Sequence, residues 1–523
     1  MAWDAIVIGS GFGGAMAAHV LVNAGERVLM IERGGWVGRG IDDPDAGVPG
    51  LRSRHYSKES PYHVRAGRKK YVAGSWHCVG GPSIFYGGAS YRFRPSDFEP
   101  HPELVGDSGA EWPVTYDDLE PYYAIAERLL HVAGDGRRDP HPHEAPRRAP
   151  YPQRPAPLAP SSQAIAQAAE RLGLTPSRIP LAISYGDAYR GCTRCGKCDG
   201  YACPASAKND LATMVIPELV RQGMELRTDT VCVRLVRQGS RVAGVECINR
   251  ISGATETLTA PRILLAAGAL ATPHLLLASG MPAANPAGDA IGRYLTRHRN
   301  AVVFGAFTRP PNPAKEFDKH VAILDFYRTA GCIQQLTPAE GLVRAYLPRL
   351  LRTPAAIFLS HASGLLVIAE DQPRPENRVS IDQSRPDRLG LPQLSVHHAY
   401  TPRDEAAAAM LVGQAKRVLR EAGARFTLVH PIETWSHALG TVRMGHDPRT
   451  SPLDEHCRFR GLDNLYVVDG SALPRSASLN PSLTIAANAL RIGAHLAQIS
   501  LPTHDRSFRS LPVWHPQHAL KTG

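Results

Sequence analysis

The sequence predicts an α/β fold in which a mostly parallel sheet is combined with a second, antiparallel sheet. Three observations support this prediction. Residues 5–31 contain an apolar run, closely spaced glycines, a helical pattern and a second apolar run. Further short apolar runs typical of buried strands occur at residues 262–266 and 464–468. Residues 300–435 alternate strand-like pieces with proline-rich turns, which is typical of an antiparallel region.

Length and composition limit the classes of protein to be considered. The 523 residues suggest two or three folding units, and 43% hydrophobic with 20% charged residues is typical of a soluble globular protein. The net charge of +11 is spread along the chain without a basic block, so we do not expect nucleic-acid binding. No apolar run is long enough to cross a bilayer. The first residues lack a basic segment and include Asp4, which argues against a signal peptide and favours a cytoplasmic protein.

The N-terminal glycines form a recognisable nucleotide-binding pattern. Gly9 permits a tight turn after the first strand, Gly11 lets backbone amides approach a pyrophosphate, and Gly14 lets the following helix pack closely. Glu32 follows the second strand, where an acidic residue binds ribose hydroxyls. The pattern predicts a dinucleotide cofactor without a 2′-phosphate, but it does not distinguish FAD from NAD.

The remaining elements are predicted from periodicity and turn residues. Residues 34–75 lack a clear period and are expected to cross the surface, whereas glycines return at high density in residues 79–89. We predict helices at residues 115–134, 211–222 (kinked by Pro217) and 404–422, and an antiparallel group of strands at 225–227, 230–237, 241–248 and 256–260. Residues 137–160 form a proline-rich linker and residues 501–523 a flexible tail.

Five separated motifs carry a resemblance to a known family. They are the N-terminal glycines, residues 79–83 (VGGPS), residues 268–281 (GALATPHLLLASGM), and two segments, 437–441 (HALGT) and 480–484 (NPSLT), that flank a strand ending at Asp469 and Gly470. Together they resemble the glucose-methanol-choline (GMC) oxidoreductase family along most of the chain. The resemblance implies a Rossmann-like FAD-binding domain, an antiparallel-sheet substrate domain, and oxidation of an alcohol by hydride transfer to N5 of FAD.

The resemblance also assigns a pair of catalytic residues. His437 matches the family's catalytic histidine, and Asn480 matches its partner, which is histidine or asparagine in different members. A histidine can accept the hydroxyl proton near neutral pH, and an amide can stabilise a developing alkoxide. The alternatives are a buried structural histidine and a turn residue before Pro481.

Further positions are assigned to the cofactor by the same resemblance. Some relatives attach FAD through a histidine, and here Phe85 occupies that place, so non-covalent FAD is expected, although His77 lies just upstream. Val231 resembles a valine whose backbone contacts the adenine, while an ordinary strand residue is an equal alternative. The predicted cofactor-binding residues are Gly9, Gly11, Phe12, Gly14, Glu32, Arg33, Val79, Gly80, Gly81, Ser83, Gly87, Gly88, Ala89, Val231, Ala267, Gly268, Asp469, Gly470, Asn480, Pro481 and Ser482.

Four of the nine cysteines are clustered, at Cys192, Cys195, Cys198 and Cys203. Their spacing is close to that of bacterial ferredoxins, which favours an iron–sulfur cluster, and zinc is a second candidate. Free or disulfide-paired structural cysteines are the alternative. The five scattered cysteines are expected to be small buried side chains.

The predicted domains are interleaved along the chain. Residues 1–110, 191–299 and 437–500 are assigned to the FAD-binding domain, 111–190 to a connecting arm, and 300–436 to the substrate domain. A sugar, glycoside or cyclitol is the favoured alcohol, and Gln372, Arg374 and Asn377 are polar candidates for binding it, although a turn is their other use. Oxygen or another acceptor would reoxidise the cofactor.

The sequence also allows alternative substrates and functions. A sterol or aliphatic alcohol is the second choice of substrate. A flavin protein that uses the cysteines as a redox dithiol, or an electron carrier, is a less favoured function. His298 is interpreted as structural, the adjacent His397 and His398 as alternating across a strand, and His141 with His143 as part of a loop.

Overall fold

A computed structural model describes residues 3–39, 49–136, 143–144, 147–186, 191–337 and 348–499. The strands are β1 Ala5–Ile8, β2 Val28–Ile31, β3 Tyr56–Ala66, β4 Lys69–Trp76, β5 Pro176–Arg178, β6 Glu225–Arg227, β7 Thr230–Gln238, β8 Arg241–Asn249, β9 Thr255–Leu258, β10 Arg262–Leu265, β11 Arg299–Ala306, β12 Val321–Ile323, β13 Cys332–Leu336, β14 Ala362–Ala369, β15 Arg378–Pro386, β16 Pro392–His398, β17 Phe426–Pro431 and β18 Leu465–Val467. The α-helices are α1 Phe12–Asn23, α2 Pro95–Phe98, α3 Pro102–Val105, α4 Tyr116–Leu129, α5 Pro160–Arg171, α6 Leu211–Met214, α7 Ile216–Arg221, α8 Ala271–Ala278, α9 Arg349–Ser360, α10 Pro402–Glu421 and α11 Ser482–Ala497.

A five-stranded parallel sheet has the order β18-β10-β1-β2-β6. The strands β1, β2 and β18 are buried along their whole length, which explains why they appear in the sequence as continuous apolar runs. The helices α1 and α11 pack against each other so closely that a Cβ on Gly493 would lie 2.8 Å from Cβ of Val20. Because the strands are parallel, the loops that follow them meet at one edge of the sheet.

Two sequence predictions in this region are wrong in detail. Residues 225–227 were expected in an antiparallel group, but they form β6 and pair in parallel with β2, so the antiparallel sheet contains only β7, β8 and β9. The helix predicted at residues 211–222 is two short helices separated at Val215, one of which begins just before Pro217. A proline lacks the amide hydrogen that would continue a helix from the preceding turn, so α7 starts there instead.

A six-stranded antiparallel sheet has the order β17-β11-β14-β13-β12-β5. One of its faces packs in an apolar core with α5 and α10, to which Leu411 and Val303 contribute. The helix α10 is capped by Thr401, whose side chain accepts a hydrogen bond from the backbone of Asp404. The strand β5 belongs to the segment predicted as a connecting arm, and it pairs with β12 at the edge of this sheet.

A four-stranded sheet, in the order β15-β16-β3-β4, connects distant parts of the chain. Residues 34–75 were expected to cross the surface, and within them β3 and β4 form a hairpin whose side chains are mostly exposed or half-buried. Here β3 pairs in parallel with β16, so strands from segments assigned to different domains share one sheet. The domain limits given above therefore stay a prediction, and the predicted tail lies outside the described residues. Among the helices described, none is both long and apolar enough to cross a bilayer.

Candidate active site

The glycine loop after β1 opens onto free space at the carboxyl edge of the parallel sheet. Gly9 has a φ of +107°, and a Cβ on Gly14 would overlap the carbonyl oxygen of Gly9. A Cβ on Gly11, in contrast, would meet no atom within 4 Å. Gly81 lies across this space, where its Cβ would be 3.6 Å from Cα of Gly11. Two predicted motifs thus face each other around a space that suits a pyrophosphate.

Glu32 lies where β2 ends and is held by the glycine loop. Its carboxylate accepts hydrogen bonds from the Ser10 hydroxyl at 2.6 Å and from the amide of Gly34 at 3.0 Å. Burial raises the pKa of Glu32, although the hydrogen bond from Ser10 opposes this shift. The neighbouring Arg33 and Val231 line an enclosed pocket together with His77, whose Nε2 is 3.2 Å from Nη1 of Arg33.

The turns after β10 and β18 are joined by one carboxylate. Asp469 accepts hydrogen bonds from the amide of Gly268 at 2.8 Å and from the hydroxyl of Thr272 at 2.5 Å. Its other oxygen accepts from the amide of Ser471 at 2.8 Å. Burial raises the pKa of Asp469, although these hydrogen bonds oppose the shift. The predicted positions Ala267 and Gly470 lie in these two turns, at the same edge of the sheet as Gly9.

The segment of residues 79–89 runs beside the start of α11. Ser482 donates a hydrogen bond to the carbonyl of Ala89 at 3.2 Å. Phe85 is buried and stacks on Trp76, with ring centroids 5.8 Å apart. The predicted residues in these two segments (Val79, Gly80, Gly81, Ser83, Gly87, Gly88, Ala89, Asn480, Pro481 and Ser482) therefore lie along one path from the glycine loop to Asn480.

His437 and Asn480 are brought together by the tertiary structure. Nε2 of His437 lies 3.5 Å from Nδ2 of Asn480. A two-residue antiparallel bridge between Thr296 and Leu439 places the loop of His437 beside the loop of His298. Nδ1 of His437 is 2.9 Å from Nδ1 of His298, and the two rings are nearly perpendicular. The histidine interpreted from sequence as structural is therefore part of the site.

The hydrogen bonds of His298 determine which nitrogen of His437 carries a proton. Nε2 of His298 is 3.0 Å from the carbonyl oxygen of Ser476, which can only accept, so this nitrogen is protonated. Burial lowers the pKa of His298, which favours the neutral ring with a lone pair on Nδ1. That lone pair accepts from Nδ1–H of His437. The lone pair of His437 is consequently on Nε2, which faces Asn480.

Asp371 holds His298 in this orientation. The backbone of His298 has a φ of +65°, a left-handed conformation that costs a non-glycine residue about 1 kcal/mol or more. Buried Asp371 accepts hydrogen bonds from the amide of His298 at 2.9 Å and from Nε2 of His398 at 3.1 Å, which offsets this cost. Burial raises the pKa of Asp371, but the bond from His398 and nearby positive charge outweigh it, so the pKa is lowered.

Asn480 also has a fixed orientation. Its Oδ1 accepts a hydrogen bond from Nε2 of Gln334 at 2.9 Å, so its Nδ2 group points toward His437. Gln334 is fully buried on β13, and its own Oε1 has no partner among the described residues. Because a carboxamide has one accepting end and one donating end, Gln334 leaves a donor on Asn480 available beside Nε2 of His437.

The environment of His437 keeps its imidazole neutral. Burial lowers the pKa of His437 well below its ordinary value of 6.5, and nearby His298, Lys319 and Arg297 lower it further. A neutral imidazole with a free Nε2 lone pair can accept a proton near neutral pH. The site therefore combines an imidazole able to accept a proton, an amide donor and an open, glycine-lined edge of the parallel sheet.

Comparison with known proteins identifies the family. The family model for the N-terminal region of GMC oxidoreductases matches residues 4–300, and that for the C-terminal region matches residues 373–489. The chain belongs to the GMC oxidoreductase family. As a GMC oxidoreductase it is an FAD-dependent enzyme that acts on CH–OH donors, which confirms the predicted fold class and reaction.

Three similar proteins illustrate the match. The chain is 33% identical to 6'''-hydroxyparomomycin C oxidase of Streptomyces lividus, over 95% of this chain and 92% of that protein. It is 32% identical to paromamine 6'-oxidase of Streptomyces fradiae, over 94% and 90%. The crystal structure of pyridoxine 4-oxidase from Mesorbium loti matches with a TM-score of 0.67 and 21% identity, over 95% of this chain and all of the other. This last likeness supports the fold alone.

In the part of the chain that the structure describes, the cysteine cluster of this GMC oxidoreductase is not arranged as a set of metal ligands. Cys195 is exposed whereas Cys198 and Cys203 are buried, and in the described ranges no three His, Cys, Asp or Glu side chains are grouped to hold a metal ion. The iron–sulfur and zinc predictions for Cys192, Cys195, Cys198 and Cys203 are therefore not supported. The loop is instead held by buried Lys208, whose Nζ donates to the carbonyls of Tyr86, Cys198 and Tyr201. Burial raises the pKa of both Cys192 and Cys198, which disfavours thiolate chemistry.

The polar substrate candidates from the 372–377 region have other partners. Gln372 donates to the backbone carbonyls of Glu103 and Leu104, Arg374 pairs with Glu376, and Asn377 bonds with the backbone of Ala399. These contacts agree with the alternative interpretation, in which the three residues belong to a turn and do not bind substrate. His398 is buried and His397 is partly exposed, as expected for neighbours that alternate across a strand. His141 lies outside the described residues.

Proposed function

We propose that this enzyme oxidises a hydroxyl group of a sugar or glycoside, with non-covalent FAD as cofactor, His437 as proton acceptor and Asn480 as a donor to the substrate oxygen. One observation carries the proposal. The chain of contacts from the Ser476 carbonyl through His298 to His437 leaves the Nε2 lone pair of His437 beside the Nδ2 donor of Asn480. An alcohol oxygen between the two nitrogens would have an acceptor for its proton and a donor for its developing charge.

The choice of a sugar-type alcohol is supported by the relatives. Two proteins with about a third of their residues identical carry names that denote oxidases of paromamine and of a hydroxyparomomycin. A third relative, 25% identical over 93% of the chain, is the fructose dehydrogenase large subunit of Gluconobacter japonicus. The names of all three refer to sugars or sugar-containing compounds, which favours a sugar or glycoside over a sterol.

The residues at the carboxyl edge of the parallel sheet fit FAD. Gly11 and Gly81 leave room for a pyrophosphate beside backbone amides, and Glu32 lies where an acidic residue binds ribose hydroxyls. Arg33 and Val231 line a small enclosed pocket beyond the end of β2, on the side proposed for the adenosine. His77 lies in that same pocket, and Phe85 packs on Trp76, which supports a non-covalent cofactor. Bound FAD would supply the acceptor for the hydride that leaves the carbinol carbon.

The protein side of the reaction follows from the hydrogen bonds. His437 accepts the hydroxyl proton at Nε2, while its Nδ1–H remains bonded to His298. Asn480 stabilises the substrate oxygen through Nδ2, because Gln334 occupies its Oδ1. Asp371 keeps the His298 loop in place during this transfer. We further propose oxygen or another acceptor for reoxidation, and a cytoplasmic location, which the nine unpaired cysteines support.

The proposal is tested on purified protein that carries its flavin. Sugars, glycosides, cyclitols, a sterol and simple aliphatic alcohols are each added without oxygen, and the flavin absorbance band is followed. We expect sugars and glycosides to bleach it fastest. Admission of oxygen, with peroxide measured, or addition of a dye then identifies the acceptor. Flavin that stays oxidised with every alcohol would contradict the proposed function.

A further inference from the structure

We propose that Asp199 and Lys319 form a subsite that recognises two neighbouring polar substituents of a sugar-type ring next to the carbinol that is oxidised. This inference rests on the proposed function and adds the part of the enzyme that selects the substrate. The sequence patterns single out neither residue. Asp199 lies in the loop that contains the cysteines, and Lys319 precedes β12 in the six-stranded sheet.

The two side chains form a largely buried ion pair with unused bonding capacity. Nζ of Lys319 is 2.8 Å from Oδ1 of Asp199, and their side chains are 4% and 21% exposed. Oδ2 of Asp199 is buried and has no hydrogen-bond partner among the described residues. Lys319 has three N–H donors, of which Asp199 uses one. A buried carboxylate oxygen without a partner is costly, so a ligand that donates to it would bind favourably.

The pair lies close to the proposed reacting groups. The charge of Lys319 contributes to lowering the pKa of His437, after burial and His298. A Cβ on Gly87 would overlap Oδ1 of Asp199 and would lie 2.5 Å from Nζ of Lys319. Gly87 belongs to the segment that runs along the proposed FAD site, and two residues later Ala89 accepts a hydrogen bond from Ser482. The pair is therefore positioned where the segment beside Asn480 meets the six-stranded sheet.

The loop of Asp199 is fixed to this sheet by backbone contacts. The amide of Phe317 donates to the carbonyl of Arg194 at 2.9 Å, and Lys208 holds the carbonyl of Cys198 at 2.9 Å. Lys208 also donates to the carbonyl of Tyr201 at 2.6 Å, so the backbone is held on both sides of Asp199. A rigid pair of opposite charges loses little side-chain entropy when a ligand binds.

The chemistry of the pair selects a class of ligand. Lys319 can donate a hydrogen bond to an oxygen substituent on the sugar ring. Oδ2 of Asp199 can accept a hydrogen bond from an O–H or N–H group on the neighbouring ring carbon. Two adjacent substituents of a sugar, either two hydroxyls or a hydroxyl and an amine, offer this combination. An alcohol without neighbouring polar groups leaves Oδ2 unpaired, and a substrate phosphate or carboxylate would be repelled by Asp199.

The experiment compares two variants with two types of alcohol. Asp199→Asn and Lys319→Met are assayed with methyl glucoside, its 2-amino counterpart and benzyl alcohol, and Asp382→Asn on partly exposed β15 is the matched control. We expect KM for both glycosides to rise about 10- to 100-fold, as for loss of a hydrogen bond to a charged group, with kcat changed less than about threefold. KM for benzyl alcohol and all constants of Asp382→Asn should remain as in the wild type. A larger effect of Asp199→Asn on the amino glycoside would identify the amine as the preferred donor.

Two results would overturn the subsite. One is an unchanged KM for the glycosides in both variants, and the other is an equal change for glycosides and benzyl alcohol. If a variant loses its flavin, the wild-type enzyme is assayed instead with a series of glycosides that each lack one hydroxyl. Equal KM values across that series would also refute the subsite. Failure of the proposed function is distinguishable, because no alcohol would then bleach the wild-type flavin.

Discussion

The glycine-lined edge of the parallel sheet and the His437–Asn480 site are built in different ways. At the edge, Gly9, Gly11 and Gly14 lie within six residues, and what matters is the absence of side chains. At the proposed reacting pair, each group is hydrogen-bonded to a partner far away in sequence, such as His298 for His437. A nucleotide site can thus be formed by a short backbone motif, whereas proton transfer needs a hydrogen-bond network assembled from several elements.

The two regions should consequently fail in different ways when they are mutated. Added volume at the edge should remove the cofactor, and changes in the network should slow proton transfer in a protein that keeps its flavin. The predictions below test this contrast, starting with the largest expected effect.

The largest effect is expected for Gly11→Val. The added side chain meets no protein atom close to Cβ, so the protein should fold, but it fills the space proposed for the pyrophosphate. Purified Gly11→Val should contain almost no flavin and have the thermal stability of the wild-type protein without flavin. Gly14→Val is the matched comparison, because its side chain overlaps the carbonyl of Gly9 and should prevent folding. Full flavin content in Gly11→Val would contradict the placement of the cofactor.

The next effect is expected for His437→Ala. Loss of the proton acceptor should slow flavin reduction about 10²- to 10⁴-fold while flavin content stays normal. Stopped-flow measurement with a sugar substrate under nitrogen gives this rate directly. His430→Ala on exposed β17 is the control, and its flavin should be reduced at the wild-type rate. A wild-type rate in His437→Ala would disprove its role.

A smaller effect is expected for His298→Ala. Without its Nδ1 lone pair, the proton of His437 is no longer fixed on Nδ1, so the wrong tautomer becomes populated. The reduction rate should fall roughly 10- to 100-fold, as is usual for groups that orient a reactive residue, and KM should change little. Asp371→Asn should cause part of the same loss, since it weakens the bond to the His298 amide. An unaffected rate in both variants would show that the network is only structural.

The smallest effect is expected in the pH profile of the reduction rate. His437 must be neutral to accept a proton, and its pKa is lowered well below 6.5 by burial, with His298, Lys319 and Arg297 adding to the shift. The rate should therefore be constant from pH 8 to about 6.5 and decrease only as pH falls through the lowered pKa. Lys319→Met should move this decrease to higher pH, because a nearby positive charge is removed. If the reduction rate of the wild type falls with a midpoint at or above pH 6.5, the prediction that His437 is neutral near neutral pH is contradicted.

Comparison of the predicted and observed elements shows where sequence patterns are informative. The apolar runs at residues 28–31 and 262–265 correspond to strands because strands buried on both faces need apolar residues throughout. Partly exposed β3 and β4 contain lysines, histidine and tyrosine without a clear period, so their pairing with β16 could not be inferred. The regular spacing of Cys192, Cys195 and Cys198 suggested metal ligands, but spacing does not determine which side chains become buried.

The sequence by itself determined the family and the type of reaction, and it predicted the proposed cofactor edge and the candidate residues His437 and Asn480. These features depend on residues that are close along the chain or on motifs with a strict order. Only the tertiary structure revealed His298, Gln334 and Asp371 around the pair, because their roles arise from hydrogen bonds between elements separated by many residues. The same holds for Asp199 and Lys319, whose contact across 120 positions leaves no periodic trace in the sequence.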